Sequence, residues 1–268
     1  MGNFESKEEC VSESEWTLFY HHLNPPFAGR GQAIRMLFID AGVPYLETSE
    51  GLYGPTGKCD VFRGEGNAKD FNKKYAVQQL APYPVMAPPI IWHRPTNGDP
   101  EVFINQLPAI LRYVGSQLGY APDSNNFADI AKCDKVLLDI GDFFSEGRSS
   151  FHPVDNYASY YDQVEEGDKS SKKWSETRMQ IWLHSFEKVL EKNESQSGFV
   201  VGESVTYADI ALYWLCDATK SQFDNEKYDF AWSKTSVPLL KKFKDDFDNR
   251  PNIKAWADKI PYSGDSLM

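Results

Sequence analysis

The chain has 268 residues, enough for one large domain or two ordinary ones. Hydrophobic residues make up 41% and charged residues 25%, the balance of a soluble globular protein that can bury a sizeable core. With 39 acidic against 28 basic residues, a net charge of −11 and no basic stripe, the sequence lacks the electrostatic footprint of a nucleic-acid binder, and no apolar run reaches transmembrane length.

Residues 1–15 are polar and acidic and read as a disordered N-terminal extension. Gly2 to Ser6 fits the Gly-x-x-x-Ser pattern for N-myristoylation, and Cys10 could carry a second acyl chain. One myristoyl chain anchors only marginally, and Glu5, Glu8, Glu9, Glu13 and Glu15 would repel an anionic surface. The expected location is therefore cytoplasmic, with membrane association only through acylation. Cys10, Cys59, Cys133 and Cys216 are far apart without a CxxC, which suggests reduced thiols and neither a disulfide framework nor a zinc site. His21 and His22, adjacent in a strand, cannot face one metal together, and no metal is expected.

From Trp16 the pattern changes. Trp16 to Tyr20 is short and rich in β formers, a buried strand followed by a loop through Pro25 and Pro26. Gly29-Arg30-Gly31 leads into a helix through about Ala41, with Ile34, Leu37, Phe38 and Ala41 on one face and Gly42 as its C-terminal stop. Val43 to Leu46 reads as a second strand, parallel to the first. Residues 50–84 are irregular. Pro88 to Trp92 and Val102 to Ile104 are further strands, and Pro108 to Gly119 is a helix buried along Ile110, Leu111, Val114 and Leu118. Ala121 to Asn126 is a linker, after which helices are expected near 127–147, 168–192, 206–222, 236–249 and 251–259. Thr206 and Asp209 form a capping box with Asp in place of Glu, and Val205 and Ile210 hold the hydrophobic-staple positions.

Other motifs fail. Gly54 to Cys59 imitates the end of a P-loop, but the position of its first glycine is Leu52 and its final hydroxyl is replaced by Cys59. No GxSxG elbow is present. Asn193-Glu-Ser195 matches a glycosylation sequon by chance.

Five segments in register resemble the glutathione S-transferase superfamily, with the nearest look to sigma-like and fungal-type members. They are Trp16–Tyr20, Gly29-Arg-Gly-Gln-Ala-Ile-Arg35, Ala87-Pro-Pro-Ile-Ile91, Asn105-Gln-Leu-Pro-Ala-Ile-Leu-Arg-Tyr113 and Gly202-Glu-Ser-Val-Thr-Tyr-Ala-Asp209. The resemblance implies a thioredoxin-like α/β domain over residues 16–120, an all-helical domain over 127–262, a homodimer, and glutathione as co-substrate with a small hydrophobic electrophile.

By the same resemblance, Tyr20 at the end of the first strand donates to the glutathione sulfur. The loop up to Gly29 is longer than in tyrosine-type members, and an ungapped count puts Asn24 in that place instead. Ala87 is expected to pair with the cysteinyl backbone ahead of a cis Pro88, because Pro88 itself has no N–H. Gln106 matches the residue that holds the γ-glutamyl end, whereas Leu107 replaces a hydroxyl residue there. Arg30 could approach the ligand or the dimer seam, and Asp139 aligns with an acid that crosses the dimer in some members. On their own chemistry Arg30, Arg35 and Asp139 read as solvated charges. Phe143, Phe144, His152 and Tyr157 are candidates for a second-substrate pocket. Two functions stay open: a glutathione transferase, and a non-catalytic relative that binds apolar ligands or scaffolds at a membrane.

Overall fold

The computed structural model describes residues 15–21, 28–48, 83, 85, 87–228 and 232–257. Gly2, Cys10, Asn24 and Cys59 lie outside the described residues, as does nearly all of the acidic extension.

Among the described residues, four short strands form one sheet: β1 (Trp16–Phe19), β2 (Leu46–Thr48), β3 (Ile90–His93) and β4 (Val102–Asn105), in the order β2-β1-β3-β4. β1 and β2 run parallel, with Thr17 opposite Leu46, as the β-α-β reading requires. β3 is antiparallel to both β1 and β4. Two strands start later than their composition suggests, at Leu46 and at Ile90. In each case prolines precede the ladder, Pro44 in one and Pro88 with Pro89 in the other, and proline supplies no N–H to it.

Helix α1 (Gly31–Ala41) joins β1 to β2. Gly42 ends it in the left-handed region at φ 67°, its N–H on the Ile39 carbonyl while the Val43 N–H returns to Phe38. Helix α2 (Leu107–Gln117) follows β4 without a linker. Beyond it lie α3 (Phe127–Phe151), α4 (Val164–Glu176), α5 (Arg178–Glu191), α6 (Tyr207–Phe223), α7 (Pro238–Asp248) and α8 (Pro251–Ala257). The helix expected over 168–192 is thus two. Thr177, at φ −123° and ψ −81°, interrupts it. The cause is tertiary: Glu146 of α3 accepts from Trp174 before the break and from Arg178 and Trp182 after it, pinning both segments.

Helix α1 packs on α2, α6 and α8, so the sheet half and the helical half share a core. Asp40, near the end of α1, is the main polar tie. Its carboxylate accepts from Arg250 Nε (2.7 Å) and Nη2 (2.5 Å) and from the Tyr120 hydroxyl (2.7 Å). Its carbonyl accepts from the Asn252 amide at 3.0 Å.

Helix α6 is buried on nearly all faces, as a central helix with apolar residues all round should be. Its capping box forms. The Thr206 N–H donates to Asp209 Oδ2 at 2.8 Å, and the Val200 N–H donates to Oδ1 at 2.7 Å. Asp209→Ala is expected to remove about 2–3 kcal/mol of stability, because a cap and two buried donors lose their acceptor together. Denaturant midpoints read this directly, and a loss below about 0.5 kcal/mol would mean that packing alone holds α6. Burial pushes the Asp209 carboxyl up to about 6, against the hydrogen bonds that favour its charged form. Its folded value lies above its unfolded one, so the folded state holds an extra proton between about pH 4 and 6, and this group's contribution to stability falls as pH rises through that window. Asp209→Asn should abolish that slope.

Candidate active site

β1 delivers Tyr20, a residue 4% exposed whose N–H bonds the Thr48 carbonyl at 3.1 Å. The ring lies against the start of α1. A Cβ at position 31 would sit 2.5 Å from ring atom Cδ1, so only glycine fits at Gly31. The hydroxyl accepts the Arg30 N–H at 2.8 Å, and burial raises its pKa, which keeps it a neutral group that can still donate its own proton.

Under this ring lies Arg35, and here the sequence reading needs correction. Arg35 is 2% exposed, not solvated. Its guanidinium carbon is 5.4 Å from the Tyr20 ring centroid, within cation–π range. Nε and Nη2 grip Glu47 of β2 (2.9 Å and 2.5 Å), and Nη1 donates to the Ala28 carbonyl (3.1 Å) and Gln32 Oε1 (3.2 Å). Glu47 supplies the countercharge that makes burial tolerable. Arg30 is exposed, as expected. Asp139 is half-buried and paired with Lys135, one turn away on the same helix.

A cleft of about 190 Å³ opens between the sheet half and α3. Arg30, Gln106 and Leu107 form one wall; Leu137, Gly141, Phe144 and Ser145 of α3 and Trp214 of α6 line the other. Three of the residues expected to bind glutathione are therefore brought together. Gln106 has φ 71° and ψ 111°, an unusual conformation for a residue with a side chain. That side chain is exposed and makes no hydrogen bond among the described residues, and the first turn of α2 has no side-chain cap. Leu107 turns its apolar side chain partly into the core. Tyr20 does not itself line the cleft; its hydroxyl sits behind the Arg30 backbone.

The cis bond is Pro88–Pro89, not Ala87–Pro88. The expectation weighed only what a bound peptide needs from the residue before the cis proline. The chain's own demands differ: the Ala87 carbonyl accepts the Asn105 side-chain amide at 3.3 Å, and β3 begins directly after Pro89. The residue before the cis bond is Pro88, which offers a carbonyl and no N–H.

Of the four pocket candidates, Phe144 lines the cleft, stacked on Trp214 at 3.8 Å. Phe143 is a neighbour on the helix, about 100° further round, and packs into the core against Trp174 at 5.1 Å. His152 caps the end of α3, bonded to Arg148 Nη1 (3.1 Å) and to the Ala158 carbonyl (3.0 Å). Burial first, then the Arg148 charge, lower its pKa. Tyr157 is 85% exposed on the following loop. The sequence reading missed Gly141, Ser145 and Trp214, although Leu137, Gly141 and Ser145 recur every fourth residue on one face of α3.

A larger concavity of about 700 Å³ lies on the other side of α3, beside residues 193–203, and contains none of the expected residues. On its rim Asn193 is buried, and its amide donates to Ser197 Oγ, the Phe199 carbonyl and the Gly202 carbonyl. Among the described residues no three His, Cys, Asp or Glu side chains converge on a metal position, and no helix is long and apolar enough to cross a membrane.

A parallel β-α-β start, two antiparallel strands and a helix, followed by an all-helical half, define a thioredoxin-like domain joined to a helical bundle. The family model of the glutathione S-transferase C-terminal domain matches residues 150–259. Glutathione S-transferase 1 of Ascaris suum is 31% identical over 158 residues, covering 58% of this chain and 68% of its own length. A glutathione S-transferase of Plasmodium falciparum (isolate 3D7) is 26% identical over 233 residues, covering 84% and 89%. Among solved structures, the sigma class glutathione S-transferase of Fasciola hepatica superposes with a TM-score of 0.63 at 15% identity, over 93% of this chain and 98% of the other. The chain belongs to the glutathione S-transferase family of enzymes.

Proposed function

We propose that this chain binds glutathione in the cleft at the start of α2 and activates its thiol for attack on a small apolar electrophile. The observation that carries this reading is the convergence of Arg30, Gln106 and Leu107 with Phe144 and Trp214. Gln106, with an uncommitted side chain beside the uncapped first turn of α2, offers the γ-glutamyl end hydrogen bonds and a favourable helix dipole. Ala87 and Pro88, just ahead of β3, would meet the cysteinyl backbone. The thiol must then reach past the Arg30 backbone to the Tyr20 hydroxyl, whose donation favours the thiolate, the reactive form of a thiol whose ordinary pKa is about 8.5. The thiolate then attacks the electrophile held against Phe144, forming the C–S bond as the leaving group departs; in an isomerisation the sulfur adds and is expelled again, and in a reduction a second glutathione thiol displaces the first as the disulfide.

Leu107 withholds one hydroxyl, a loss of about 0.5–1.5 kcal/mol in binding. It favours the second reading: a relative that binds apolar ligands or acts as a scaffold without turnover. Calorimetric titration with reduced glutathione at neutral pH separates the two. Saturable binding in the millimolar range or tighter supports the enzyme, and no detectable heat of binding supports the carrier. A homodimer would use the groove between α2 and α3, lined by Arg112, Tyr113 and Leu138, where Leu138 is 61% exposed. Tethering through Gly2 and Cys10 rests on the sequence pattern, and mass spectrometry of the native N-terminus tests it.

A further inference from the structure

We propose that the indole N–H of Trp214 orients the electrophile, so that the cleft selects neutral apolar electrophiles carrying an acceptor oxygen, a carbonyl or a nitro group, over isosteres that lack one. This rests on the transferase reading above and names a specificity-determining residue of the same site.

Trp214 lines the cleft from α6 and is 1% exposed. Its Nε1 is buried and has no hydrogen-bond partner among the described residues. Other indoles of the chain are engaged: Trp92 donates to Glu101 at 3.0 Å, and Trp174 and Trp182 donate to Glu146 at 3.4 Å and 3.1 Å. A buried indole N–H ordinarily finds an acceptor, and one left without it carries its full desolvation penalty. Phe144 does not relieve it. Its ring lies 3.8 Å from the indole with 10° between the planes, so it covers a face, whereas the N–H points along the ring plane.

The rest of the lining leaves this donor to the substrate. Ser145 Oγ, on the same wall, already donates to the Gly141 carbonyl at 2.8 Å. Arg30 and Gln106 stand on the opposite wall, where Gln106 faces the γ-glutamyl end. The side chains of Leu137 and Ala211 carry no polar atom. Asp142 is exposed in the lining and repels an anion, so the acceptor is a neutral one. A Cβ at Gly141 would meet nothing within 4 Å, so the wall has room for a substituent. An apolar pocket with one uncommitted donor fixes its ligand through that donor, and it discriminates against an analogue that leaves the donor unpaired.

A matched pair of probes tests this: 4-(chloromethyl)acetophenone and 4-isopropylbenzyl chloride, which differ by a carbonyl oxygen against a methyl group. In each, the glutathione thiolate forms a C–S bond at the benzylic carbon. Chloride leaves with the C–Cl electron pair, and the thiol proton goes to solvent. With rates expressed relative to the uncatalysed reaction, kcat/KM should favour the ketone at least about tenfold in the wild type. Trp214→Phe keeps an aromatic ring against Phe144 and removes the N–H, and the ratio between the probes should fall to about one. That ratio does not depend on how much of the variant folds. Should the phenylalanine variant be inactive, 3-benzothienylalanine in place of Trp214 puts sulfur where the N–H was in a ring of the same shape, and the same fall is expected. Equal kcat/KM for the two probes in the wild type would overturn the inference. So would a ratio that keeps its wild-type value in the variants, because the ring then acts through packing alone. Absence of glutathione binding to the wild type by calorimetry would overturn the transferase reading and this inference with it. Binding and turnover without preference would overturn this inference alone.

Discussion

Tyr20→Phe is expected to lower kcat about 100-fold, the usual consequence of removing one preorganised donor from a developing or standing anion. Only the hydroxyl is lost; the ring still fills the space against Gly31 and over Arg35. The pKa of the bound thiol, followed by thiolate absorbance against pH, should rise towards the ordinary value of about 8.5. That titration separates a lost donor from a disturbed fold, since a merely loosened pocket would weaken glutathione binding without moving the pKa. Asn24→Ala is the matching control. If Asn24→Ala raises the thiol pKa and Tyr20→Phe does not, the donor is Asn24.

Glu47→Ala is expected to have the largest effect on stability. It takes the Glu47 carboxylate away from the buried Arg35 guanidinium, whose Nη1 bonds to the Ala28 carbonyl and Gln32 remain. Stranding a buried charge costs about 3 kcal/mol or more, which corresponds to a fall in Tm of roughly 6–12 °C for a chain of this size. Replacing both members, Glu47→Leu with Arg35→Met, should lose markedly less, because no charge is then stranded. A double variant as unstable as Glu47→Ala would show that the pair acts through shape rather than charge. Turnover at a temperature where all variants remain folded would report whether Arg35 also steadies the Tyr20 ring.

What could be read without coordinates was what the chain encodes locally. The capping box at Thr206 and Asp209, the glycine stop at Gly42 and the β-rich run at Trp16 depend on neighbours a few residues away, and each lies where its pattern indicates. The break at Thr177 could not be read, because no proline or glycine marks it and the residue that enforces it, Glu146, lies on another helix. Arg35 looked like a surface charge for the same reason: its countercharge arrives from β2, twelve residues on. Among the residues that line the cleft, Arg30, Gln106 and Leu107 stand in family motifs, and Phe144 drew attention through its aromatic character. Phe143, His152 and Tyr157 were not distinguishable from it by composition: helix phase separates Phe143 from Phe144, and the end of α3 at Phe151 leaves His152 and Tyr157 beyond the helix.

The attachment of Asp40 also sets an order of events during synthesis. Its carboxylate is met by Arg250, 210 residues later in the chain. At ordinary translation rates those residues take roughly 10–40 s to appear, so α1 leaves the ribosome long before the side chains that cover its outer face. For that interval the nascent sheet half exposes the surface that α6 and α8 later bury. The stretch between Asp40 and Arg250 is therefore the period in which chaperone contact, or association between neighbouring nascent chains, has its greatest opportunity.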